Sequence, residues 1–206
     1  MRGKDPAVPD TDAGSAVKAP ATAGPQDDVV ALLLHQHAQI EELFLLVTGG
    51  DQQVQRDAFN DLVRLLAVHE TAEEEVVHPL SRTLPGDNDA LIDDRLAEER
   101  QAKETLQTLI EGGVDADGFA DGVLLLRDAV LKHARHEERY EFPRLRQHVP
   151  ADRLRQLAGA VRAAEAAAPT RPHPGTESAT ANAVTGIPLA IVDRIRDAAR
   201  SAADSA

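Results

Sequence analysis

Two short blocks carry the residue types from which a metal site can be built. One reads His69-Glu-Thr-Ala-Glu73-Glu74 and reaches Pro79; the other reads His133-Ala-Arg-His-Glu137-Glu138 and reaches Pro143 at the same offset. The register of four matched positions points to an internal duplication of a helix pair. On a helix, residues i and i+4 stand one above the other, so His69 with Glu73, and His133 with Glu137, can each grip a cation. Both pairs share a face with apolar residues: Leu62, Leu65, Leu66 and Val76 in the first block, Val123, Leu126 and Val130 in the second. They therefore point inward, where a carboxylate beside an imidazole is costly unless paired or bound to a cation. Glu74 and Glu138 rotate away from that seam, as solvated groups or as acceptors that orient a ligand.

A third candidate ligand is His37, which shares a face with Leu33, Ile40 and Phe44; a core histidine with a backbone partner is the alternative. His35 is turned about 200° from it along the helix. Glu99 interrupts an apolar stripe of Ile92, Leu96, Leu106 and Ile110 on a helix without histidine. It either completes the shell as a carboxylate or pairs with Lys103 one turn on. His78, His136, Tyr140 and His148 read as ordinary side chains near helix ends, with His136 or Tyr140 available to orient or replace a ligand. His173 falls in a linker. Position 73 is Glu and position 140 is Tyr, so no His-Glu-x-x-His motif occurs, and neither a P-loop nor a Gly-x-Ser-x-Gly elbow is present.

Helical apolar spacing predicts the elements that must position these groups. The first helix covers 28–48 and stops at Gly49-Gly50. The second runs from about Val54 and ends near Pro79 and the Leu84-Pro85-Gly86-Asp87 turn, the third runs from Leu91 to Gly112-Gly113, and the fourth from Phe119 to just before Pro150. Long helices joined by short turns favour an all-α, up-down-up-down antiparallel four-helix bundle over 28–150. Residues 1–27 read as a disordered arm. Residues 151–168 form an additional helix with a weak apolar face, 169–188 a flexible linker, and 189–206 a short amphipathic C-terminal helix that could serve a protein partner.

Composition narrows the chemistry. Aromatic residues are 2% of the chain, so the core is built from aliphatic side chains, which suits helices. A formal charge of -13 repels phosphate backbones and anionic headgroups, so neither nucleic acid nor membrane is an expected partner. Without cysteine there are no disulfides or thiolate sites, leaving His, Asp and Glu as the strong ligands. The longest uninterrupted apolar run, Val29 to Leu34, is too short to cross a bilayer, and the N-terminus lacks a signal-like segment, so a cytoplasmic location is expected.

Over about residues 27–150 the chain resembles the hemerythrin-like, HHE cation-binding family. The residues that carry the resemblance are Asp28-Val-Val with His37 and Ile40, His69-x-x-x-Glu73-Glu74 to Pro79, Glu99-x-x-x-Lys103, and His133-x-x-x-Glu137-Glu138 to Phe142-Pro143. The resemblance implies an oxygen-bridged di-iron centre with a vacant position for dioxygen, manganese or zinc being the alternatives. His37, His69 and His133 would be terminal ligands and Glu73 and Glu137 bridges. The sequence departs from the family in having Glu99 where a histidine is usual, and fewer histidines than the oxygen carriers. A carboxylate-richer shell favours the ferric state over reversible dioxygen carriage. The expected function is binding or sensing of dioxygen, nitric oxide or peroxide. The alternatives are a redox enzyme that decomposes peroxide or reduces nitric oxide, and a structural bundle with a degraded site.

Overall fold

The computed structural model describes residues 28–86 and 88–167, and among these there are helices and no strand. The arm at 1–27, the linker at 169–188 and the amphipathic stretch at 189–206 lie outside the described residues. Helix α1 spans Val29–Gly49. Asp28 caps it by accepting the Ala31 amide at 2.7 Å, and holds Arg146 through both carboxylate oxygens. Gly50 closes the turn, its N–H reaching the Leu46 carbonyl at 2.9 Å. A Cβ there would sit 2.7 Å from that carbonyl and 2.5 Å from Val54, so the turn has room only for glycine. Asp51 caps α2, Gln52–Ala72, by accepting from the Gln53 and Val54 amides.

Of the two expected stops of the second helix, Pro79 does not end it; the helix runs to Arg82, just before the turn at 84–86. A stretch of π-helix, Glu73–Val77, follows α2 directly and leads into α3, His78–Arg82. The fourth predicted helix repeats this: α5, Phe119–His136, then π-helix Glu137–Glu141, then α6, Phe142–His148. In both, the residue before proline bonds five residues back, His78 N–H to the Glu73 carbonyl and Phe142 N–H to the Glu137 carbonyl. One extra residue in the turn accommodates a proline that would break a regular helix. Between them lies α4, Asp89–Gly112, joined to α5 through Gly113 and Gly118, both at positive φ.

Helix α1 packs on α2, α5 and α7, and α4 packs on α5. The interior divides into two apolar clusters. One gathers Ile40, Phe44, Leu62, Leu66, Leu106 and Leu126, with Phe59 and Phe119 edge to face at 5.0 Å. The other gathers Val30, Leu33, Phe142, Leu145 and Leu157. Helix α7, Ala151–Ala167, contributes Leu154, Leu157, Ala158 and Val161 to it, all buried. The apolar face of this helix is therefore not weak: two leucines, a valine and closely approaching alanines seal that end of the core. The uninterrupted run Val29 to Leu34 opens α1, a helix that by length and composition alone could cross a membrane. Its polar residues interrupt the run, and its inner stripe of Leu33, Ile40, Phe44 and Val47 is core.

Leu157 is 2% exposed and Leu125 is 69% exposed. Leu157→Ala should cost about 2–5 kcal/mol in chemical unfolding, and Leu125→Ala no more than about 0.5 kcal/mol. Equal costs would contradict a core role for α7.

Candidate metal centre

Between the two apolar clusters lies a polar layer. His37 is set one turn below Ile40 and one above Leu33 on the inner stripe of α1, so it reaches this layer between the clusters. His69 ends α2 and Glu73 opens the π-stretch after it; His133 and Glu137 occupy the same places on α5 and its continuation. Glu99 comes from α4. The structure brings together all six residues singled out from sequence, and all six are buried, Glu73 and Glu137 completely.

The two carboxylates are interlaced with the imidazoles. Glu73 faces His69 Nε2 through Oε1 at 3.2 Å and His133 Nε2 through Oε2 at 3.7 Å. Glu137 faces His37 Nε2 through Oε2 at 3.3 Å and His133 Nε2 through Oε1 at 3.4 Å. His37 and His69 meet Nε2 to Nε2 at 3.2 Å. None of the carboxylate approaches has the geometry of a hydrogen bond, and no oxygen of Glu73 or Glu137 has a hydrogen-bond partner. Four fully buried carboxylate oxygens without donors are a strong departure from the rule that buried polar atoms are bonded. A cation among them supplies what the protein's own donors do not, so the donor set fits a metal.

Around this layer the imidazoles are oriented from behind. His37 Nδ1 lies 2.8 Å from Glu138, and His69 Nδ1 lies 2.8 Å from Gln36. Glu138, expected to be solvated or to orient a ligand, takes the orienting position. Glu74 instead takes Lys103 at 2.6 Å on the exposed side. Lys103 lies 3.1 Å from Glu70 but 3.9 Å from Glu99, which is buried and within 2.6 Å of His78. Of the two sequence alternatives for Glu99, its place is thus in the polar layer, with Lys103 as a distant neighbour. His136 binds Glu98, and Glu98 lies 3.6 Å from His133 Nδ1. Tyr140 is exposed, as are His35 and His148.

His78 and Glu141 are the residues that sequence reasoning missed. His78, taken for an ordinary group near a helix end, is 2% exposed, and its ring lies between Glu99 and Glu141. On a regular helix it would stand about 140° from Glu73. The π-stretch takes up one residue and brings it back to about 40°. The paired prolines were the available signal for that distortion. Glu141 lies four residues after Glu137, a spacing that could have placed it on the same face.

Burial and crowding set the protonation of the layer. Burial, and then Glu137, pushes Glu73 up to about 8. Burial opposes the charge of Glu137 as well, but His133 and His37 outweigh it and hold that carboxyl well below its usual value. Burial likewise works against the imidazolium of His78, yet Glu141 and Glu99 raise it to about 10. His133 and His37 are raised against burial mainly by Glu137. His69 is driven well below its usual value by burial and by His37. Protons thus stand where positive charge is required.

Beside the layer is a cavity of about 20 Å³, lined by His37, His69, His133 and Glu99 and walled by Ile40, Leu66, Ala102 and Val130. That is room for a molecule the size of water.

The model of the hemerythrin HHE cation binding domain matches residues 28–145. A protein described as a DNA nickase from Nostoc sp. (strain PCC 7120 / SAG 25.82 / UTEX 2576) is 29% identical over 130 residues, covering 63% of this chain. The chain spans 36% of that relative's length. No solved structure matches the chain.

Cation binding should displace the protons held by Glu73 and the raised histidines. Calorimetric titration at pH 7 in buffers of different ionisation enthalpy should show release of about one proton or more per ion, with affinity weakening as pH falls. Binding without proton release would contradict this protonation pattern.

Proposed function

The chain belongs to the hemerythrin HHE cation-binding domain family, and on that premise we propose that it is a non-haem di-iron protein that binds or senses dioxygen, nitric oxide or peroxide. One observation carries the reading: Glu73 and Glu137 each turn their two oxygens toward different imidazoles and leave all four unbonded. A carboxylate so placed is disposed to join two cations. His37, His69 and His133 would supply terminal nitrogens, and Glu99 a further oxygen. In the same reading the helices follow one another up and down around the centre, in the cytoplasm.

Bound iron would supply redox chemistry and an open coordination position. The chain's own part is to hold, orient and exclude. Gln36 and Glu138 fix His69 and His37 from behind, so that Nε2 of each faces the carboxylates. Ile40, Leu66, Ala102 and Val130 keep the adjoining cavity narrow and apolar, which favours a small, weakly polar ligand over an organic substrate. The acid-rich layer of Glu73, Glu99 and Glu137 favours the ferric state, which supports sensing or redox chemistry over transport. The relative's described action on DNA is not carried over, because 35 acidic against 22 basic side chains disfavour a phosphate-binding surface.

Protein from iron-replete cells should hold about two iron ions per chain, with absorption bands that bleach under dithionite and change on exposure to air. Iron-free wild-type protein would defeat the reading. His133→Ala should lose iron and melt at a lower temperature, since an ion at about a hundred times its Kd stabilises the native state by about 2.7 kcal/mol. Catalysed peroxide or nitric-oxide loss, abolished in His69→Ala/His133→Ala, would shift the assignment from sensor to enzyme.

A further inference from the structure

Four imidazoles at the polar layer obey one rule. His37, His69, His133 and His78 all send Nε2 toward the buried carboxylates and turn Nδ1 toward an oxygen behind. The hydrogen-bond partners are Glu138 at 2.8 Å for His37, Gln36 at 2.8 Å for His69 and Glu141 at 3.1 Å for His78, while His133 Nδ1 points at Glu98 from 3.6 Å, beyond a hydrogen bond. An oxygen at Nδ1 keeps the ring proton there and presents the Nε2 lone pair inward, the arrangement of histidines that bind metal. His78 has the orientation of the three candidate ligands, and it stands on the side where α4 supplies no histidine.

We propose that His78 is itself a metal ligand, holding one of the two cations together with Glu99 and Glu73, while Glu141 positions its ring. This rests on the metal-centre reading above. Donor atoms of Glu73, His78 and Glu99 all lie within 4.8 Å of one another. Two donors on one ion are separated by at most about 4.2 Å, so small side-chain rotations bring the three onto a common cation. His78 Nε2 and Glu99 Oε1 are already 2.6 Å apart. Glu141 Oε1 is occupied by His78 Nδ1 and by the Ser81 hydroxyl, which donates to it at 2.6 Å. That marks Glu141 as the support for the ring and leaves Glu99 to share the ion.

An ion pair of His78 with Glu99 and Glu141 is the competing account, and it leaves too much unsatisfied. One imidazolium has two N–H groups, and both are used by Glu99 Oε1 and Glu141 Oε1. Glu99 Oε2 and both oxygens of Glu73 remain buried and without hydrogen bonds. A cation at the Nε2 side engages these oxygens together.

The full-length chain is loaded with ferrous iron without oxygen, desalted, and its metal counted. Wild type should carry about two ions and His78→Gln about one, with unchanged helical circular dichroism. Glu141→Gln should keep the first ion and weaken the second by about 10–100-fold. His78→Gln retaining both ions would overturn the assignment and leave the metal centre standing. Wild type without any ion would overturn the metal centre itself, and this assignment with it. Should His78→Gln fail to fold, anomalous diffraction from metal-loaded wild-type crystals decides. A peak about 2.0–2.2 Å from His78 Nε2 supports the assignment, and none at that nitrogen overturns it.

Discussion

The organisation of this protein depends on one expensive act, the burial of Glu73, Glu99, Glu137 and Glu141 within a single layer of the interior. Removing a carboxylate from water costs several kcal/mol even after relaxation, and crowding carboxylates together adds repulsion. Positive charge must therefore be present in the same layer. The chain brings four imidazoles and, without a cation, protons raised onto Glu73, His78, His37 and His133. Even so, several oxygens remain without donors. The layer is assembled for more positive charge than the chain itself contains.

Such a layer is held only if the apolar packing on either side is strong. The cluster around Phe44, Leu62 and Leu126 secures one side, and the cluster around Leu33, Leu145 and Leu157 the other. Helix α7 lies beyond the residues matched by the family model, yet Leu154, Leu157 and Val161 complete the second cluster. It adds burial where Arg146 and Asp28 already tie α6 to the start of α1. His37 and His69 are buried beside this cluster, and a low local dielectric there strengthens the electrostatic interactions of the layer.

Much of this was legible in the residues. Three-to-four periodicity located the long helices, and the spacing of His69 to Glu73 and His133 to Glu137 placed them on inward faces. Glu99 stood out because it interrupts an apolar stripe. The failures at Pro79 and His78 have a common origin in treating each helix as regular. The second helix was expected to end near Pro79 and the turn after it, although a π-stretch absorbs the proline, and the same stretch turns His78 inward from the face a regular helix would give it. The buried side of α7 was undervalued for another reason. Ala158 and Ala160 contribute little hydrophobicity individually, but they let the helix approach closely enough to bury two leucines.

The duplication adds a final constraint, because the two halves use the same backbone device for different side chains. In each, the residue before proline bonds five residues back and is turned into the interior. In the first half that residue is His78, beside Glu99 and Glu141; in the second it is Phe142, whose ring stacks on His37 at 5.6 Å. One side of the layer is therefore rich in carboxylate, with Lys103 nearby, and the other is covered by an aromatic ring. Hard, negatively charged oxygen donors stabilise the higher oxidation state of a bound metal, an effect that the Lys103 ammonium offsets in part, whereas imidazoles under apolar cover favour the lower one. On the proposed reading, two cations placed by a symmetric backbone would occupy inequivalent surroundings, and the small cavity lined by His37, His69, His133 and Glu99 adjoins both.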